Sequence, residues 1–252
     1  MSRPGAPASA LPEALRLAWW GTAWLRGEAV TDLVLDAVIE GDATHVVAGL
    51  DGASDAADTL VIGLGRLRAQ GATMLGAAFP GEGDPVGLGG PAPFNEAAIE
   101  VGSAVVSDAG LGVVPRRVGA AITWHAYEAS RRQVPDIGEA DRTLRAALLD
   151  ATNTLADLDV ARWRPEVADR LMNLRRRSDP APAPGVPPRC VDLAMRGLQA
   201  AEIADLALED DGGAITAYEI TARRDALMPL IRASRRALTA AGSPDAWPDA
   251  WP

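Results

Sequence analysis

Glu202, Asp205 and Glu209 fall at i, i+3 and i+7 of a predicted helix, where a turn of about 100° per residue sets them on one side. Carboxylates that converge between helices hold Mg²⁺ or Mn²⁺ through oxygen alone. The same line runs back through Val191, Met195 and Leu198, so the acids are expected to extend a buried stripe. A hydrolase of a small phosphorylated compound would use them as metal ligands, with Arg223 and Arg224 gripping phosphate. The opposing reading pairs those two arginines with the acids and leaves no metal site. A second acidic line, Asp32, Asp36 and Glu40, repeats at i, i+4 and i+8, and a cation such as Arg66 or Arg68 is expected to relieve it.

Other catalytic groups are scarce. All 24 basic side chains are arginine, beside two histidines and one cysteine. Without lysine there is no Schiff base, no lysine-held pyridoxal phosphate and no Walker-type contact to a β/γ-phosphate. His125 is the candidate general base: Thr123 and Tyr127 share its face of a predicted strand, and Ser107 or Asp108 would be its neighbours across a hairpin. No G-x-S-x-G elbow supports a serine nucleophile, and Ser103 in VGSAV lacks the closing glycine. His45 carries still less signal, and Cys190 reads as a small buried filler despite Arg189 beside it.

The loop FPGEGDPVGLGGPAP, residues 79–93, follows a predicted strand, a usual place for ligand loops in α/β proteins. It is not a dinucleotide fingerprint. Val86 stands where the third glycine would fall, Pro85, Pro91 and Pro93 delay any helix, and Glu82 and Asp84 would repel an anion. A small-molecule-binding regulator would use this loop.

Seven of the eleven aromatic residues are tryptophan. Trp19, Trp20 and Trp24 lie on one predicted helix and suit contact with a partner or a second copy. The closing segment repeats DAWP, placing Trp247 and Trp251 between prolines that limit the entropy lost on docking.

The elements that must position these residues form an α+β fold: a small mixed sheet with helices in the N-terminal half, and a helical C-terminal half packed against it. Helices are predicted at 11–26, 32–40 with Thr31 as N-cap, 58–70, and from a cap at Asn95 through 101. Strands are predicted at 45–50, 72–79, 103–107, 111–115 and 118–128, the last alternating Ile122, Trp124 and Ala126 against Thr123, His125 and Tyr127. Helices follow at 138–158, 165–176, 189–209 and 215–240. The organisation is a flexible tail at 1–10, an α/β region at 11–135, a helical region at 136–242 with a Pro-rich break at 178–189, and a Trp-Pro tail at 243–252.

At 252 residues with 48% hydrophobic content the chain can build a sizeable core, largely of Ala, Leu and Val. A net charge of −10 argues against nucleic acid as a partner. Both halves are acidic, with 9 arginines against 15 acids before residue 136 and 15 against 19 after it. The lone cysteine and the absence of a long apolar run point to a cytoplasmic protein away from membranes. A chain stocked with guanidinium and carboxylate groups is expected to hold something rather than transform it. The leading expectation is a non-catalytic protein acting through protein contacts or self-association, without a cofactor, with the Mg²⁺/Mn²⁺ hydrolase and the small-molecule regulator as alternatives.

Overall fold

The computed structural model describes residues 11–50, 57–130, 134–157, 181–209 and 217–247, with the side chains of 155–157, 209 and 217–220 outside that description. The predicted helix at 165–176, the tail at 1–10, the start of the Pro-rich break, the Glu209 side chain and Trp251 lie outside the described residues. Seven α-helices and six strands make up the described part: α1 Glu13–Leu25, α2 Thr31–Ile39, β1 Thr44–Ala48, β2 Ala57–Thr59, α3 Leu60–Ala69, β3 Leu75–Ala78, α4 Ala92–Val101, β4 Ala104–Ser107, β5 Leu111–Val118, β6 Ala121–Glu128, α5 Ile137–Asp157, α6 Pro188–Glu209 and α7 Ala217–Ala241. A 3-10 turn, Pro244–Ala246, follows α7.

The strands form one mixed sheet in the order β2-β1-β6-β5-β4-β3. All neighbours are antiparallel except β1 and β6, which run parallel with His45 opposite Ile122 and Val47 opposite Trp124. Because side chains alternate along a strand, His45, Val47, Leu75, Ala77, Val105, Val113, Ile122 and Trp124 share one face. They enter the main core with α1 and α3. Gly63 lets α3 lie directly on β1, since a Cβ there would come within 2.5 Å of Val47 Cγ2. The opposite face carries Ala104, Val106 and Val114 under Phe94, Ala97 and Ala98 of α4, a smaller core of its own.

In the helical half, α5 and α6 pack on α7, and α7 carries that half onto the sheet. Its C-terminal end lies along the outer edge of β3, where strand N–H groups would otherwise stand unpaired. The Leu75 N–H donates to Thr22 Oγ1 at 2.9 Å, that of Ala77 to the Gly242 carbonyl at 2.7 Å, and that of Phe79 to Thr239 Oγ1 at 3.1 Å. Every second donor along the edge is thereby bonded by α1, by α7 or by Gly242 just beyond it. No described helix is long and apolar enough to cross a membrane.

Several local expectations shift for identifiable reasons. Thr31 is the first residue of α2 rather than its cap, because its hydroxyl accepts from Trp24 Nε1 at 3.0 Å. Asn95 does not cap α4. Its Oδ1 accepts the Gly90 N–H at 3.0 Å, while the helix starts earlier, at Ala92, after Pro91. The start of the predicted helix at 58 is the short strand β2, and Thr59 caps α3 by accepting from the Ile62 N–H. Residues 118–120 belong to the end of β5 and a turn at Gly119, not to β6.

Candidate functional site

The loop after β3 turns back along α7 and makes a groove with it. Gly81 and Asp84 close a tight turn through two backbone hydrogen bonds of 2.9 Å. Gly81 packs so closely under the Arg235 guanidinium that a Cβ would collide with it. Gly87, at φ 80°, lies between Ala78 and Thr239, where a side chain would meet both atoms at 2.8 Å. These contacts fix the loop against the helix and set Asp84 beside Arg236. Asp84 is only 6% exposed. Its Oδ1 accepts from Arg236 Nη2 at 3.0 Å, while Oδ2 is buried with no hydrogen-bond partner among the described residues. A groove of about 330 Å³ opens here, lined by residues 84–88, Val134, Pro135 and Arg236. Its volume lies at the small end of the ~300–1,000 Å³ usual for ligand sites.

A second cavity of about 300 Å³ lies by Met74, Val106, Ser107, Asp108 and Asp245. Its polar groups serve the fold. Burial works against a charged Asp108, but the Thr73 hydroxyl and the N–H groups of Thr73 and Met74 outweigh it and hold the carboxyl below its ordinary range. Ser107 Oγ donates to the Leu111 carbonyl at 2.9 Å.

His125 therefore does not meet Ser107 or Asp108, the neighbours expected for it. It stands half-buried on β6 between Val114 of β5 and Ala48 of β1, on the α4 side of the sheet, while Ser107 belongs to the opposite face. The histidine in a developed polar network is His45. Trp124 Nε1 donates to its Nδ1 at 3.3 Å, which leaves Nε2 to donate to Asp42 Oδ2 at 3.0 Å. Asp42 also accepts from Arg117 at 2.6 Å and Arg16 at 3.4 Å, and Arg16 pairs with Glu40. Burial pushes the His45 pKa down, and the attraction of Asp42 offsets this only in part. For Asp42, burial is outweighed by its bonds from Arg117 and His45, so its carboxyl stays below the ordinary value. The one clue in the sequence was the Asp42-x-x-His45 spacing. Glu40 is thus relieved by Arg16 rather than by Arg66 or Arg68: Arg66 binds Asp58 at 2.9 Å, and the Arg68 guanidinium lies 3.6 Å from the Trp24 ring centre.

The acidic line on α6 continues a stripe that is only partly buried: Val191, Met195 and Leu198 pack against the edge of the core. The fully buried residues Leu193, Ala200, Ala204 and Ala207 are two residues out of phase with Val191, Leu198, Glu202 and Asp205 and hence about 200° around the helix. Glu202 is half-buried, Asp205 is exposed, and both already take part in polar interactions, as does the buried Arg223. Among the described residues no three His, Cys, Asp or Glu side chains are grouped to hold a metal. Cys190 is fully buried, and burial raises its pKa to about 11 against a small opposing effect of Arg189.

The described tryptophans of α1 and the closing segment face inward to differing degrees. Trp19 is fully buried and donates to the Ala241 carbonyl at 3.0 Å. Trp247 donates to the same carbonyl at 3.1 Å, so the segment 243–247 folds back onto the end of α7. Trp20 and Trp24 are partly buried against the core.

Residues 14–137 match the family described as Rv1486c-like protein, N-terminal domain, and residues 138–239 match the Rv1486c-like protein, C-terminal domain. The curated relatives include the uncharacterized protein Rv1486c of Mycobacterium tuberculosis (strain ATCC 25618 / H37Rv), 28% identical over an alignment of 292 positions that covers 92% of this chain and 98% of that protein. The uncharacterized protein MT1533 of M. tuberculosis (strain CDC 1551 / Oshkosh) is similar to the same extent. No solved structure matches the chain significantly. The two family matches meet at the start of α5, where the sheet gives way to helices, and from residue 14 to 239 the chain carries the domain pair of the Rv1486c-like proteins.

Proposed function

We propose that the protein is a non-catalytic, cytoplasmic binding protein that holds a small molecule in the groove between residues 84–88, Val134, Pro135 and Arg236. The observation that carries this reading is Asp84: a carboxylate 6% exposed, with one oxygen bonded to Arg236 and the other buried without a partner among the described residues, in the wall of a cavity of about 330 Å³. A buried polar atom left unbonded costs about 1–3 kcal/mol, and a ligand that bonds it recovers that cost. Protein contact through the tryptophans has less support, because Trp19, Trp24 and Trp247 all donate hydrogen bonds within their own chain. Metal-assisted hydrolysis has less support too, since Glu202 and Asp205 lie off the buried side of α6 and are already engaged.

A thermal-shift screen of the full chain with free amino acids, short carboxylates, small amines and sugar phosphates tests the reading, because a ligand selective for the folded state must raise its apparent stability. A compound that raises Tm for the native chain and not for Asp84→Asn is the expected result. Stabilisation by no compound of the panel, or equal stabilisation of the variant, would contradict it.

A further inference from the structure

The groove brings an ion pair together with several apolar side chains. The carboxylate of Asp84 and the guanidinium of Arg236 are 3.0 Å apart, joined through one oxygen and one nitrogen. Asp84 Oδ2 lacks a donor among the described residues and is covered, so a ligand reaches it as the carboxyl group turns toward the groove, while the Arg236 side chain is 49% exposed and can donate from its other N–H groups. Pro85, Val86, Gly87, Leu88, Val134 and Pro135 form the rest of the lining. The turn at 81–84 and the packing of Gly87 on α7 hold these walls in place before anything binds, which lowers the ordering cost of binding.

Resting on the groove as ligand site, we propose that its ligand is a zwitterion, a free α-amino acid with an apolar side chain. A simple anion would satisfy Arg236 but face the Asp84 carboxylate. A simple cation would satisfy Asp84 but face the guanidinium. A neutral apolar molecule would leave Oδ2 unbonded. An amino acid laid antiparallel to the ion pair gives its ammonium to Asp84 and its carboxylate to Arg236, both as charge-assisted hydrogen bonds. It adds no net charge beside the Asp84–Arg236 pair, which is itself neutral, so no further charge is buried with it. The apolar side chain then lies along Val86, Leu88 and Val134, and the cavity of about 330 Å³ suits a molecule of that size.

Titration calorimetry on the full chain with L-leucine, isocaproate and isoamylamine separates the contributions, because the second lacks only the amine and the third only the carboxyl group. Leucine is expected to bind at least about tenfold more tightly than either analogue, a difference of about 1.4 kcal/mol. Asp84→Asn is expected to abolish the advantage over isocaproate, and Arg236→Gln the advantage over isoamylamine. A variant that had merely lost its fold would bind none of the three and would not produce this crossed pattern. If an analogue binds as tightly as leucine, with that binding lost in Asp84→Asn, the zwitterion is overturned while the groove remains a ligand site. If none of the three binds the native chain, the zwitterion is overturned, and the groove then depends on the wider thermal-shift panel. Equal binding of leucine to the native chain and both variants overturns both.

Discussion

Two arginine-bound carboxylates in this molecule are finished to different degrees. Asp42 has donors on both oxygens, from His45, Arg16 and Arg117, and the histidine it holds is closed off on its other side by Trp124. Asp84 is more deeply buried than many paired acids, yet it has one partner, one unbonded oxygen and an open groove beside it. The first arrangement joins α1, β1, β5 and β6, so its groups serve the fold. The second joins a loop to one half-exposed arginine, and little of the fold would change if it were altered. Buried polar groups are costly when partly satisfied, so an incomplete one beside a cavity marks the place where a ligand can complete the set.

The largest expected difference comes from removing each carboxylate in turn. Asp42→Ala leaves the buried Arg16 and His45 without their shared partner and should cost about 3–5 kcal/mol in denaturant unfolding. A loss below about 1 kcal/mol would mean that the network adds nothing beyond an exposed pair. Next comes the β3 edge. Thr239→Val removes the acceptor of the Phe79 N–H and should cost about 1–3 kcal/mol, measured in the same way.

A smaller effect follows from acid. His45 has a folded pKa below its ordinary value of 6.5, so between the two values the unfolded chain binds more protons and stability rises with pH. Tm should therefore fall by roughly a few degrees as pH is lowered from 7 through the region below 6.5, with a further loss at lower pH as Asp42 is protonated. In His45→Gln the first of these slopes should flatten; an unchanged slope would assign it to another group. Smallest of all, Asp84→Asn should change stability by about 1 kcal/mol or less, because the amide oxygen still accepts from Arg236 and the neutral group no longer buries a charge, which offsets the lost ion pair. A cost rivalling that of Asp42→Ala would erase the distinction between the two sites.

Period was legible in the sequence where one surface was buried. The alternation of Ile122 and Trp124 with Thr123 and His125 gave β6 and its faces, and the glycine-containing turn at 108–110 gave the β4–β5 hairpin. Three residues cannot display a period, so β2 merged into the start of a helix. Parallel pairing of β1 with β6 joins segments far apart in the chain, and it makes His45 a partner of Trp124, 79 positions away. Local spacing could have offered only Asp42 and His45, and the arginines come from other elements. The loop at 79–93 stood out by composition, but Asp84 read as a simple repulsive charge because its partner, Arg236, lies 152 residues on. On α6 the acid line was correctly spaced for one side of a helix, yet spacing alone does not tell which side a neighbouring helix covers.

The most direct test is an amide-detected NMR titration of the full chain with L-leucine, isocaproate and isoamylamine in turn. Leucine is expected to shift the Asp84, Val86, Gly87, Leu88, Val134 and Arg236 amides together and saturably, leaving those of Asp42 and His45 in place. If none of the three compounds moves the groove amides, the zwitterion is contradicted; if the shifts gather around His45 instead, the assignment of the open carboxylate as the binding site is contradicted.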